Sequence, residues 1–96
     1  MMPENDVATG VFNKIHPEKR QLAIEFLRGY FADAPSTVQE IRVAIEKNPA
    51  EWWVVHHLAW GMGVRNLLRR NGYGEADLGV NNLDDCYAGL VEEAFL

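Results

Sequence analysis

Four stretches of the chain carry apolar residues at helical spacing, with short polar or glycine- and proline-containing breaks between them. In "HPEKRQLAIEFLRGYFAD", Leu22, Ala23, Phe26, Leu27, Tyr30 and Phe31 recur at three- and four-residue steps and form one stripe. Pro17 suits the first helical position, and "DAP" ends the helix because a residue before proline disfavours helical backbone. "PSTVQEIRVAIEKN" predicts a second, two-faced helix. Val38, Ile41 and Ile45 lie on its inner side, and Ser36 with Gln39 forms a capping box. "NPAE" repeats the logic for a third helix, with Asn48 as cap and Pro49 at its first position. From there nothing but Gly61 and Gly63 interrupts the helical pattern before Gly72, a natural C-terminal stop. This is the longest helix expected.

"GYGEADLGVN" reads as a connection with one helical turn at residues 75–78, pinned by Tyr73, Leu78 and Val80. "NNLDDCYAGLVEEAFL" is the fourth helix, capped by Asn82, with Leu83, Tyr87, Leu90, Ala94 and Phe95 on its buried side. The prediction is an all-α domain: a small bundle of four main helices around a long central third helix. Residues 1–15 read as a flexible N-terminal arm anchored by Val11, Phe12 and Ile15, and residues 16–96 as one helical domain.

The third helix sets the functional question. At roughly 100° per residue, Trp53, Trp60, Val64 and Leu67 share one wall, and Val54, Val55, Leu58 and Met62 lie opposite. Its first half is therefore apolar nearly all round, which predicts enclosure by the other helices. His56 and His57 are adjacent, so they point about 100° apart and do not grip one ion together; helical metal motifs space their histidines four apart. A metal would need further ligands such as His16, Asp84, Asp85 or Cys86, and no metal or cofactor is expected. Gly61 and Gly63 each cost about 1 kcal/mol in a helix interior. They point to a close crossing by another element.

Totals narrow the classes. A chain of 96 residues with 48% apolar and 24% charged residues is long enough for one modest core. One cysteine excludes an intrachain disulfide and fits a reducing compartment. No run is long enough for a membrane span, and the acidic "MMPENDVATG" lacks a signal's apolar core, so a cytoplasmic location without membrane contact is expected. A net charge of −5 argues against a protein built to hold phosphate backbones. Between residues 52 and 74 the only formal charges are Arg65, Arg69 and Arg70, and beyond them every charge is acidic. An antiparallel return would place Asp84 and Asp85 against Arg69 and Arg70. Nucleic-acid binding through the Arg65/Arg69/Arg70 patch is thus a minor alternative.

Cys86 among aspartates makes a poor nucleophile. The constellation that remains is His57, Arg65, Asn66, Asp84 and Asp85, acid–base equipment if open to solvent and a structural network if closed. His57, Gly61, Met62, Arg65 and Asn66, with Asp84 and Asp85 downstream, follow the pattern H-x-x-x-G-M-x-[VI]-R-N with a later D-D pair. It resembles a pattern of small uncharacterised bacterial helical proteins grouped as domains of unknown function. The likeness covers about residues 52 to 91. It brings no activity; it implies that these polar residues form one unit linking the third helix to the start of the fourth. The expected function is a non-enzymatic interaction or assembly module, with itself (a homodimer) or another protein as partner. The alternative is a small enzyme or ligand binder using the polar constellation.

Overall fold

The computed structural model describes residues 12–96, apart from the side chains of Val55, His57 and Leu58. Helix α1 is Pro17–Tyr30, followed by a 3-10 turn at Phe31–Asp33; α2 is Pro35–Lys47. A continuous rod comes next, made of α3 (Trp52–His56), a π-helical turn (His57–Gly61) and α4 (Met62–Arg70). The short α5 (Glu75–Leu78), a 3-10 turn (Leu83–Asp85) and α6 (Tyr87–Phe95) complete the fold. It is all-α, with four main helical segments at residues 17–30, 35–47, 52–70 and 87–95.

Local chemistry explains most of the boundaries. The His16 imidazole accepts from the Glu18 amide at 3.3 Å, and Pro17 occupies the first turn of α1. Gly72 sits at φ +87, and the Tyr73 amide reaches back to the Leu68 carbonyl at 2.9 Å, the hydrogen bond of a Schellman stop. Two expected caps are not formed. Helix α2 begins at Pro35 with Ala34 before it, so Ser36 falls inside the first turn and makes no capping bond. Asn48 instead ends α2, and its carbonyl accepts from Glu51 and Trp52, which delays the rod until Trp52. In both places proline pre-sets the turn without help from the polar side chain.

One contiguous apolar cluster joins all these elements. Helix α6 is the most enclosed: Tyr87, Ala88, Leu90, Val91, Ala94 and Phe95 are all buried. It packs most extensively on α1, whose inner face is Ala23, Ile24 and Leu27, with Phe31 just beyond. Leu22 and Tyr30, expected on that stripe, are outside it at 48% and 56% exposed. The inward face is set one residue further on, by Ile24. Arg28 ties the pair by donating to the last carbonyls of α6, Nε to Ala94 at 3.3 Å and Nη2 to Glu93 at 3.0 Å. A cation suits that negative helix end. Phe12 and Ile15 do anchor the chain ahead of α1: Ile15 is buried and Phe12 rests on Gly89. Val11 and the rest of the arm lie outside the described residues.

The rod buries Trp52, Gly61, Val64, Arg65, Leu67 and Leu68 and half-buries Trp53, His56 and Trp60. The Trp52 indole Nε1 donates to Glu92 Oε2 at 2.7 Å, a charge-assisted bond fixing the rod to α6. Its first half is not enclosed all round, since Val54 and Met62 are exposed. The π turn is the reason. An extra residue per turn changes the phase of everything after it, returning Met62 to the outer side with Val54 and turning Arg65 inward.

The two rod glycines differ. A Cβ on Gly61 would stand 2.4 Å from the Tyr87 hydroxyl oxygen and 3.1 Å from the His56 carbonyl oxygen, whereas one on Gly63 meets nothing within 4 Å. The close crossing expected at both is present at Gly61 alone. Gly61→Ala should therefore destabilise the fold by about 1–3 kcal/mol through overpacking. Gly63→Ala should stabilise it by up to about 1 kcal/mol. Thermal denaturation of the two variants checks this, and shifts of the same sign would refute it.

Candidate functional site

The polar residues singled out above gather where the rod passes the start of α6. Arg65 lies on α4, and its residue exposure is only 5%. A buried guanidinium is costly unless it is paired. Its Nε donates to Asp84 Oδ1 at 2.7 Å, and its charged end lies 4.9 Å from the centre of the Tyr87 ring. The 3-10 turn at Leu83–Asp85 aims Asp84 at the rod, and that turn is fixed by Asn82, whose side chain accepts from the Asp84 amide at 3.0 Å. Burial raises the Tyr87 phenol above its ordinary value, against the pull of the Arg65 charge.

A second pair lies one helical turn along. Arg69 makes a forked contact with Glu75, Nε to Oε1 at 3.1 Å and Nη2 to Oε2 at 2.7 Å, and its Nη1 donates to Asn66 Oδ1 at 2.9 Å. Glu75 Oε2 also accepts from the Leu83 amide at 3.2 Å. The hydrogen bond from Arg69 draws the Glu75 carboxyl down from 4.5 to about 2, and the same bond raises Arg69. The acidic return does neutralise the arginines, with different partners from those expected: Asp84 takes Arg65, and Glu75 takes Arg69. The loop turns back through α5 early enough for Glu75 to reach Arg69 before Asp84 does. Arg70 makes no ion pair with any described residue.

The structure thus brings Arg65, Asn66 and Asp84 into one network. Asp85 is half-buried beside Cys86, and the His57 side chain lies outside the described residues. Glu75 and Tyr87 are the members that spacing alone missed. Gly61 was the available signal for Tyr87, because a helix glycine asks what stands against it. Cys86 is fully buried; burial first, then Asp85 and Glu75, push its thiol up to about 12. Among the described residues no three His, Cys, Asp or Glu side chains gather as a metal site. No described helix is long and apolar enough to cross a membrane.

Chemically, this network has its charges engaged with one another. Arg65 is spent on Asp84 and the Tyr87 face, and Asn66 and Glu75 on Arg69. A general base needs a group within reach of a substrate proton. Two larger grooves on the surface are lined by none of Arg65, Asn66, Asp84 or Asp85. Nor do Arg65, Arg69 and Arg70 present a joint phosphate-binding surface, because the first is buried and the second already holds a carboxylate. Compared with known proteins, the chain matches no family model, no curated protein and no solved structure.

Two expectations follow. Because the folded Glu75 value lies below the unfolded one, its contribution is complete above pH 4.5 and is lost as pH falls towards about 2. Glu75→Gln should remove that part of the acid sensitivity while costing about 1 kcal/mol or less at neutral pH, as expected for a largely exposed pair. Melting temperatures of both proteins from pH 7 down to pH 2 measure the difference, and parallel curves would refute the assignment. The Cys86 thiol should stay unmodified by a disulfide-exchange reagent in the folded protein and react once denaturant unfolds it. Rapid labelling without denaturant would contradict its enclosure.

Proposed function

We propose that this chain is a non-enzymatic interaction or assembly module that presents the outer face of its rod to a protein, in the first place to a second copy of itself. The observation that carries the reading is an uncharged helical surface. Residues 52–64 contain no Asp, Glu, Lys or Arg, yet Val54 and Met62 are exposed at 54% and 44% and Ala59 is exposed as well. Soluble monomers seldom leave such a face without use. Trp53 and Trp60 are only half-buried, so the core does not absorb all the aromatic bulk of the chain.

Two copies of net charge −5 repel in general, but this face brings no charge to the contact and needs none to be desolvated. Ala59 lets two helices approach closely, with Val54 and Met62 as apolar contacts on either side. The enzyme reading is weaker because the polar constellation is engaged internally, and the nucleic-acid reading because one arginine of its patch is buried and another is paired. The resemblance of residues 52 to 91 to small bacterial helical proteins is compatible with a structural role for the Arg65–Asp84 link.

Sedimentation equilibrium across a concentration series tests the proposal. The wild type should rise above monomer mass. Met62→Glu, which places a charge on an already exposed position, should stay monomeric with its melting temperature nearly unchanged. A wild type that remains monomeric at the highest concentration and retains no partner in pull-downs would sink it.

A further inference from the structure

Two open grooves meet at Phe31. The first, of about 410 Å³, runs between α1, α2 and the end of α6, and Arg28, Phe31, Pro35, Val38, Arg42 and Phe95 line it. The second, of about 320 Å³, lies between the end of α1 and the rod, with Tyr30, Phe31, Trp60, Gly63, Leu67 and Arg70 along its walls. Trp60 packs against Phe31 and Phe95 at 5.8 and 6.0 Å between ring centres, so one aromatic group underlies both recesses.

The charge of this surface runs against that of the molecule. Every charged residue lining either groove is an arginine, in a chain of net charge −5. Arg42 and Arg70 make no ion pair with any described residue. Arg28 spends Nε and Nη2 on backbone carbonyls, which leaves its charge unneutralised by a carboxylate. Gly63 supplies the second, independent observation. It costs the helix about 1 kcal/mol, and no neighbour within 4 Å explains it, yet a side chain there would project into the second groove.

We propose that the two grooves form one docking channel for an acidic amphipathic helix of a partner protein. Its apolar side chains, at three- and four-residue spacing, would lie on Phe31, Trp60 and Phe95, and its flanking carboxylates would meet Arg28, Arg42 and Arg70. The arginines line recesses between helices, which admit a helix and its side chains but not a flat bilayer. Self-association through Val54 and Met62 uses other residues, so either idea can fail without the other.

The test is a display library of random helical peptides selected on the full chain, with Arg42→Glu and Gly63→Leu as counter-selected variants. Both substitutions fall on exposed positions, one without an ion pair and one with open space around it, so unchanged melting temperatures serve as the folding control. Enriched peptides should combine apolar residues at helical spacing with Asp and Glu. A synthetic copy of the best should bind about tenfold more weakly, or worse, to each variant. Enrichment of neutral or basic peptides, binding insensitive to both variants, or no enrichment at all would overturn the proposal. So would Arg42-dependent binding of the protein to phosphatidylglycerol vesicles with no peptide selected, which would give this surface to a membrane.

Discussion

The ring of Tyr87 is wholly enclosed, and its position governs how the rod and the last helix meet. Its hydroxyl stands where a side chain on residue 61 would be, one ring face takes the Arg65 guanidinium, and Arg65 in turn holds Asp84. Each member is tolerable only because of the others. A buried arginine needs its carboxylate and its aromatic neighbour, and a glycine in mid-helix needs an intruder to justify it. The cost of both is offset at one contact. Trp52 repeats the connection at the other end of α6 through Glu92, so two polar bonds set the rod's register on a core that is otherwise apolar and non-directional.

This arrangement also sorts the charges. Acids that follow the rod in sequence fold back on its arginines, Asp84 on Arg65 and Glu75 on Arg69. What remains unneutralised by carboxylates is elsewhere: Arg28, Arg42 and Arg70 around Phe31. The rod's first half carries no charge. The surface therefore divides into an uncharged helical face, an arginine-rimmed recess and an acidic remainder, a division better suited to choosing protein partners than to chemistry on a small substrate.

The helix count, the breaks at proline and glycine and the buried side of the last helix were all legible in the sequence, because proline and glycine act locally and apolar spacing is strong. The caps were less so. Ser36 and Asn48 have the right chemistry one or more residues from where the backbone turns, and proline fixed those turns first. Arg65 and Asp84 were legible as members of one unit. Their pairing was not, since it depends on how the loop at residues 71–82 folds, and a four-residue helix there gave Arg69 a nearer partner. Tyr87 read as core and is core; its grip on Arg65 is a three-dimensional fact with only Gly61 as its trace.

The π turn at His57–Gly61 carries a consequence for sequence comparison. Such a turn holds one residue more than an α-helical turn needs, so deleting a single residue here would not simply shorten the rod. It would rotate everything downstream by about 100°, swinging Arg65 and Leu68 away from α6 and bringing other side chains round in their place. Length variation at this point is thus a change of facing, and two relatives differing by one residue would expose different helical stripes with nearly the same amino acids.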